Sequence, residues 1–167
     1  MEITFDLRHW FQPNTSLADN AYALRALLDC LISINESYLR NHTVRPLYQS
    51  GVVYGRTQIW DPIPALYKRR YGDCKSVSAA LIAQLRKEGT ACDPAFRFHE
   101  RTERGVVIRD FHILVETAKG FTDPSKVLGM GKDEFSPMPT FSDPPQLGLD
   151  LTSSPRVGAW LSKLGLG

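Results

Sequence analysis

The chain has 167 residues, enough for one domain built around one main core. Its hydrophobic fraction of 43% is that of an ordinary globular protein, and no run of eighteen apolar residues marks a membrane span. Lys and Arg number 20 and Asp and Glu 18, and this near-balance gives no electrostatic case for nucleic acid.

The chain opens Met1-Glu2-Ile3-Thr4-Phe5-Asp6, without the basic start and apolar stretch of a secretory signal. Three cysteines, an odd number with no paired spacing, speak against a disulfide framework. A reducing, cytoplasmic setting is expected, with membership of a virion or other assembly as the alternative. Ile3, Phe5 and Leu7 alternate with polar residues and predict a short strand. Ser16 followed by Asp19 resembles a capping box, and Leu17, Ala21, Leu24, Leu28, Leu31 and Ile34 recur at helical spacing. They predict a helix over 16–40. Cys30 lies within it among apolar neighbours and is expected in the core.

Residues 41–65 read as irregular, punctuated by Pro46, Gly51, Gly55, Pro62 and Pro64. The one basic cluster, Lys68-Arg69-Arg70, reads as a solvated loop. Gly72 then precedes a second predicted helix over 74–88, with Val77, Ala80, Leu81 and Leu85 as its apolar stripe and Gly89 closing it. Cys74 falls on the inward edge of the first turn. A short strand is predicted at 95–98 and a longer one over 106–117. Ala118-Lys119-Gly120 makes a turn into Phe121-Thr122-Asp123, which begins the next strand of an antiparallel hairpin. Helices followed by strands argue for an α+β fold.

Residues 129–156 are rich in Pro, Gly and Ser, which forbids long helices or central strands and predicts an extended tail over the surface. A short helix over 156–164 would carry Val157, Trp160, Leu161 and Leu164 on one face, suited to docking on the domain or on a protein partner. The predicted organisation is a domain over 1–128 and a Pro/Gly-rich extension over 129–167.

A thiolate is a good nucleophile, but a free cysteine is mostly protonated at neutral pH and needs a base or a positive potential. Cys74 has one such source in the unpaired N–H groups and dipole of a helix N-terminus, and its own N–H can serve an oxyanion. Gly72 before it would permit a tight turn and close approach of substrate. Of His9, His42, His99 and His112, the last lies mid-strand, with Phe111, Ile113 and Val115 alternating against it. His112 is thereby aimed at whatever packs on its face, and the helix of Cys74 is the natural candidate. An imidazole base needs an acceptor on its other nitrogen. Asp123, across the turn, is preferred to Asp110, because side chains two apart on one strand lie well separated.

Gly72-Asp73-Cys74-Lys75, with its helix running to Arg86-Lys87-Glu88-Gly89, resembles the nucleophile segment of transglutaminase-like domains. His112-Ile113-Leu114-Val115-Glu116 is similar to their histidine strand, and Gly120-Phe121-Thr122-Asp123-Pro124 to their aspartate strand. Trp60-Asp61-Pro62-Ile63-Pro64 resembles the Trp-x-x-Pro stretch that precedes the cysteine there. The matched region covers about residues 58–127, and Ile113-Leu114 departs from the small residue and Trp usual after the histidine. The resemblance implies a papain-like core, a nucleophile helix packed on an antiparallel sheet, and a Cys74-His112-Asp123 triad. It also implies that Trp60 or Gln58 serves the oxyanion site.

The function so implied is a peptidase or amidase that forms a thioester and passes the acyl group to water, with a protein or peptide as substrate. Two alternatives remain: transfer of the acyl group from glutamine to an amine, and a structural or adaptor subunit on the same fold. No cofactor is expected. The cysteines and histidines lack metal-ligand spacing, and no acidic loop supports calcium.

Overall fold

A computed structural model of the chain describes residues 16–131 and 140–141; the strand expected at 3–7 and the helix expected at 156–164 lie outside them. Helix α1, Leu17–Asn41, starts on a capping box in which Ser16 Oγ accepts from the Asp19 amide at 3.1 Å and Asp19 Oδ2 accepts from the Ser16 amide at 3.3 Å. Its buried face runs through Leu24, Leu28, Leu31, Ile32, Asn35 and Leu39. Two readings of this helix are corrected. Cys30 is exposed, and Ile34 is 49% exposed. Each stands two residues after a buried position, Leu28 or Ile32, and two residues turn a helix by about 200°, to its far side. None of the helices among the described residues is long and apolar enough to cross a membrane.

The segment expected to be irregular contains a 3-10 turn at Leu47–Gln49, a two-residue strand β1, Val53–Tyr54, and a helix α2, Ile63–Arg69. Its prolines start α2 rather than forbid it. Pro62 occupies the capping position and Pro64 the first turn, where a helix has no use for the missing N–H. The basic cluster is not a loop either. Arg69 lies in the last turn of α2 and pairs with buried Asp61 at 2.8 Å, and Arg70 ends the helix in the left-handed conformation at φ 66°.

Strand β2, Tyr71–Gly72, pairs in parallel with β1, setting Tyr54 beside Gly72. Helix α3, Cys74–Lys87, follows directly and closes at Gly89, whose φ of 82° is the left-handed value that favours glycine. Strand β3, Cys92–Glu103, is three times as long as the segment expected from its apolar run, because it pairs along its whole length with β4, Val106–Thr117. The two residues between them, Arg104 and Gly105, both have positive φ, 51° and 78°, which is the signature of a type I′ hairpin loop. Strand β5 is only Gly120–Thr122, and Asp123 is not part of it: the residue caps a one-turn helix α4, Pro124–Val127. The sheet order is β5-β4-β3-β6, where β6, Thr140–Phe141, brings the chain beyond 129 back to pair with Phe96 and Arg97. This is the expected mixture of helix and antiparallel sheet, with the helices first. One core joins Leu28 and Ile32 of α1, Val77 and Ile82 of α3, and Phe96, Phe98, Ile113 and Val115 of the sheet.

Gly72 turns out to serve packing rather than a tight turn. A Cβ built there would lie 2.5 Å from Leu66 Cδ1, and Leu66 is itself fully buried. Gly72→Ala is therefore expected to lower unfolding free energy by about 1–3 kcal/mol, the usual cost of overpacking a core. Urea denaturation measures it, and a loss below about 0.5 kcal/mol would mean that Leu66 swings aside.

Candidate active site

Asp73 determines where α3 begins. Its backbone is extended, and its Oδ1 accepts from the Lys75 amide at 3.2 Å, leaving Cys74 as the first helical residue. Cys74 is buried, at 6% exposure. Burial pushes its thiol up to about 12, and the Asp73 carboxylate pushes the same way; Lys75 and the amides of Ile113 and Lys75 act in the opposite direction. The thiolate expected from the helix N-terminus therefore does not prevail. A helix dipole is worth about 0.3–1 kcal/mol, under one pH unit, whereas burial shifts a group by up to about 3–5 units. The resting sulfur is held as the neutral thiol.

Strand β4 brings an imidazole to the same cavity. β5 pairs only with residues Val115–Thr117 of β4. Beyond them α3 meets the strand instead: Ser78, one turn after Cys74, donates its hydroxyl to the carbonyl of Ile113 at 3.2 Å. His112, the residue before Ile113, is 1% exposed. Its Nε2 lies 2.9 Å from Asp123 Oδ2. The other oxygen of Asp123 accepts from the amides of Ser125 and Lys126 at 3.1 and 3.2 Å, so the cap of α4 fixes the carboxylate. With Nε2–H donating to that carboxylate, Nδ1 is the basic nitrogen. Asp110, the rival acceptor, pairs with Arg101 at 2.8 Å.

Cys74 and His112 line one cavity of about 710 Å³, together with Tyr54, Gln58 and Trp60. Gln58 is exposed, and Trp60 packs partly buried on the core. The segment carrying them is held by the first turn of α3. Lys75 Nζ donates to the Thr57 carbonyl at 2.9 Å, and Ser76 Oγ accepts from the Asp61 amide at 2.9 Å. The Lys75 ammonium also stands 5.7 Å from the centre of the Trp60 ring.

Three members of this site were not singled out by the sequence. Lys75 and Asp73 are both buried and ion-paired with each other, flanking the thiol on either side. Burial raises the Asp73 carboxyl, and Lys75 opposes that. The charges of Asp-Cys-Lys at the start of an apolar helix were the available signal. Tyr54, whose hydroxyl is raised first by burial and then by Cys74, sits in a segment without periodicity and gave none. No group of three His, Cys, Asp or Glu among the described residues is placed to hold a metal ion. Comparison with protein-family models, curated proteins and solved structures yields no match to this chain.

The raised thiol has a pH signature of known sign. The folded state holds the Cys74 proton up to about 12, above the ordinary thiol range, so this contribution to stability is present below that range. It is lost as pH rises from about 8.5 towards the folded value. Cys74→Ser should therefore remove a downward slope of unfolding free energy between about pH 8.5 and 11, measured as the difference from wild type in urea titrations. Parallel pH profiles for the two proteins would contradict the buried, protonated thiol. In the native protein, exposed Cys30 should alkylate well before Cys74 and Cys92 at pH 7.

Proposed function

We propose that this protein is a cysteine-dependent hydrolase, a peptidase or amidase of the transglutaminase-like type on a papain-like core, acting on a protein or peptide in the cytoplasm. The observation that carries the reading is the imidazole of His112, anchored to Asp123 at 2.9 Å, in the cavity that also holds the thiol of Cys74. A neutral thiol, an imidazole held by a carboxylate, and a helix N-terminus are the parts that acyl transfer requires.

As the sulfur attacks the carbonyl of an amide, His112 Nδ1 takes the thiol proton, and the developing imidazolium is stabilised by Asp123. The carbonyl oxygen becomes an oxyanion that accepts from the Cys74 amide, with the Trp60 indole N–H or the Gln58 amide as second donor. Collapse breaks the C–N bond, and the His112 proton leaves with the amine, giving a thioester. Water, deprotonated by the same imidazole, then attacks the thioester carbon; the acid is released and the thiol restored. An amine in place of water would give an amide and make the enzyme a protein-glutamine acyltransferase.

One observation favours a second reading, a structural or adaptor subunit on the same fold: the thiol is raised to about 12 by burial. Such a subunit would use its extension over 129–167 for a protein partner.

Cys74→Ser changes one atom and is expected to abolish release of ammonia or peptide fragments from a glutamine-containing or unfolded protein substrate. Asp123→Asn should favour the wrong tautomer of His112 and slow turnover by up to about 10⁴-fold. Adding a primary amine should yield an amine adduct, detected by mass spectrometry, only if the acyltransferase variant operates. Wild-type and Cys74→Ser proteins that behave alike in every acyl-transfer assay, with partner binding lost on deletion of 129–167, would establish the adaptor instead.

A further inference from the structure

Strand β4 has an open edge beside the cavity. The two-residue loop at Arg104 and Gly105 makes Glu103 and Val106 a hydrogen-bonded pair, and bonded pairs recur at every second residue. Even-numbered residues of β4 therefore bond β3, and the main-chain groups of the odd-numbered ones point to the other edge. Three of those outward positions have partners: Thr117 and Val115 pair with β5, and the Ile113 carbonyl accepts from Ser78. Val107 and Phe111 point the same way, and among the described residues neither has a main-chain partner on that side. Val107 is also 49% exposed.

An open edge is a template for a further strand, and proteins commonly cover it. The chain that leads into α1 is well placed to do so. Asn20 Oδ1 accepts from Arg109 at 2.8 Å, and Arg25 donates to Asp93, which stands opposite Glu116. Helix α1 thus starts level with the open edge and runs the same way as β4. Leu17, in its first turn, and Phe111 both pack partly buried on the core. Residues 1–15 therefore enter α1 from the end of the edge nearest the hairpin loop. Within them Ile3, Phe5 and Leu7 alternate with polar residues, the pattern of a strand with one apolar face.

We infer that residues 3–7 pair antiparallel with residues 107–111 and close the open edge of β4, with Ile3, Phe5 and Leu7 on the face where α1 packs. Residues opposite one another share a face, so one register satisfies both alternations: Ile3 level with Phe111, Phe5 with Arg109 and Leu7 with Val107. The antiparallel sense follows from α1. A strand running towards the hairpin loop delivers the chain to the start of a helix that runs back, and residues 8–15 can span up to about 26 Å for that reversal. Phe111 is next to His112 and lines the cavity of Cys74. The added strand would form a wall of that cavity, whatever chemistry the cavity supports.

Nuclear magnetic resonance on the full-length protein tests the pairing. Short Hα–Hα contacts are expected at Thr4–Asp110 and Asp6–Ile108, the close pairs of an antiparallel ladder. The outward amides of Val107 and Phe111 should exchange with solvent as slowly as those of Ile108 and Asp110, which bond β3. Phe5→Pro removes an amide that faces β4 and should speed exchange at Val107 and Phe111 by about tenfold or more, leaving Ile108 and Asp110 unchanged. Should that variant fail to fold, the wild-type contacts decide alone. Absence of any contact between residues 3–7 and 107–111, fast exchange at Phe111 in wild type, or protection that persists in folded Phe5→Pro would overturn the inference. Protection that grows with protein concentration would overturn it too, by assigning the edge to a second copy of the chain.

Discussion

The hydroxyl of Ser78 on the carbonyl of Ile113 is the contact on which the arrangement of the cavity depends. It joins two elements far apart in sequence at the point where each presents a side chain to the cavity. Ser78 is one turn of helix from Cys74, and Ile113 is next to His112, so a bond of 3.2 Å fixes thiol and imidazole in a common frame. Ser78 is fully buried, and a serine inside a helix commonly turns its hydroxyl back on its own main chain. Here it satisfies a strand instead. The short β5 makes this necessary: it pairs with only three residues of β4, and a buried strand edge cannot be left with unpaired carbonyls.

What the sequence could convey follows from which forces are local. The capping box at Ser16 and Asp19, the apolar period of α1 and α3, and the alternation of β4 are all written within a few residues, and each element is found where that period places it. The pairing of His112 with Asp123 was legible for a similar reason, since a turn of two residues joins β4, which carries His112, to β5, which Asp123 directly follows. The segment from 41 to 70 was not, because its helix α2 is seven residues long and owes its position to contacts distant in the chain. Asn35 Oδ1, on α1, accepts from the amide of Ile63 at 2.8 Å, and Ser76, on α3, receives that of Asp61. Cys30 was misplaced by composition, for apolar neighbours along a helix say little about which side a residue faces.

The buried Asp73–Lys75 pair illustrates a competition that residue types alone do not decide. A helix N-terminus, a lysine and two amides all favour the Cys74 thiolate, yet the thiol is held protonated because removal from water outweighs them. Lys75 is spent on its neighbours: it neutralises Asp73 and ties down the carbonyl of Thr57. Replacing such a pair by apolar groups often costs nothing in stability, so its stronger role is to fix geometry. It locks the segment bearing Gln58 and Trp60 against the start of α3.

The two-residue loop at Arg104 and Gly105 divides the hairpin into parts with unequal tolerance of change in length. The loop is exposed and lies several residues from His112, so a longer connection there would lengthen the tip and leave the imidazole where α3 and Asp123 hold it. A single residue added between Asp110 and Phe111 is a different matter. Alternation has a period of two, so every side chain between the insertion and the loop would exchange faces, unless a bulge absorbed the extra residue. Asp110 would turn from Arg101, and the row opposite His99 and Arg101 would change character. Natural length variation in this protein is therefore expected to be confined to the tip of the hairpin.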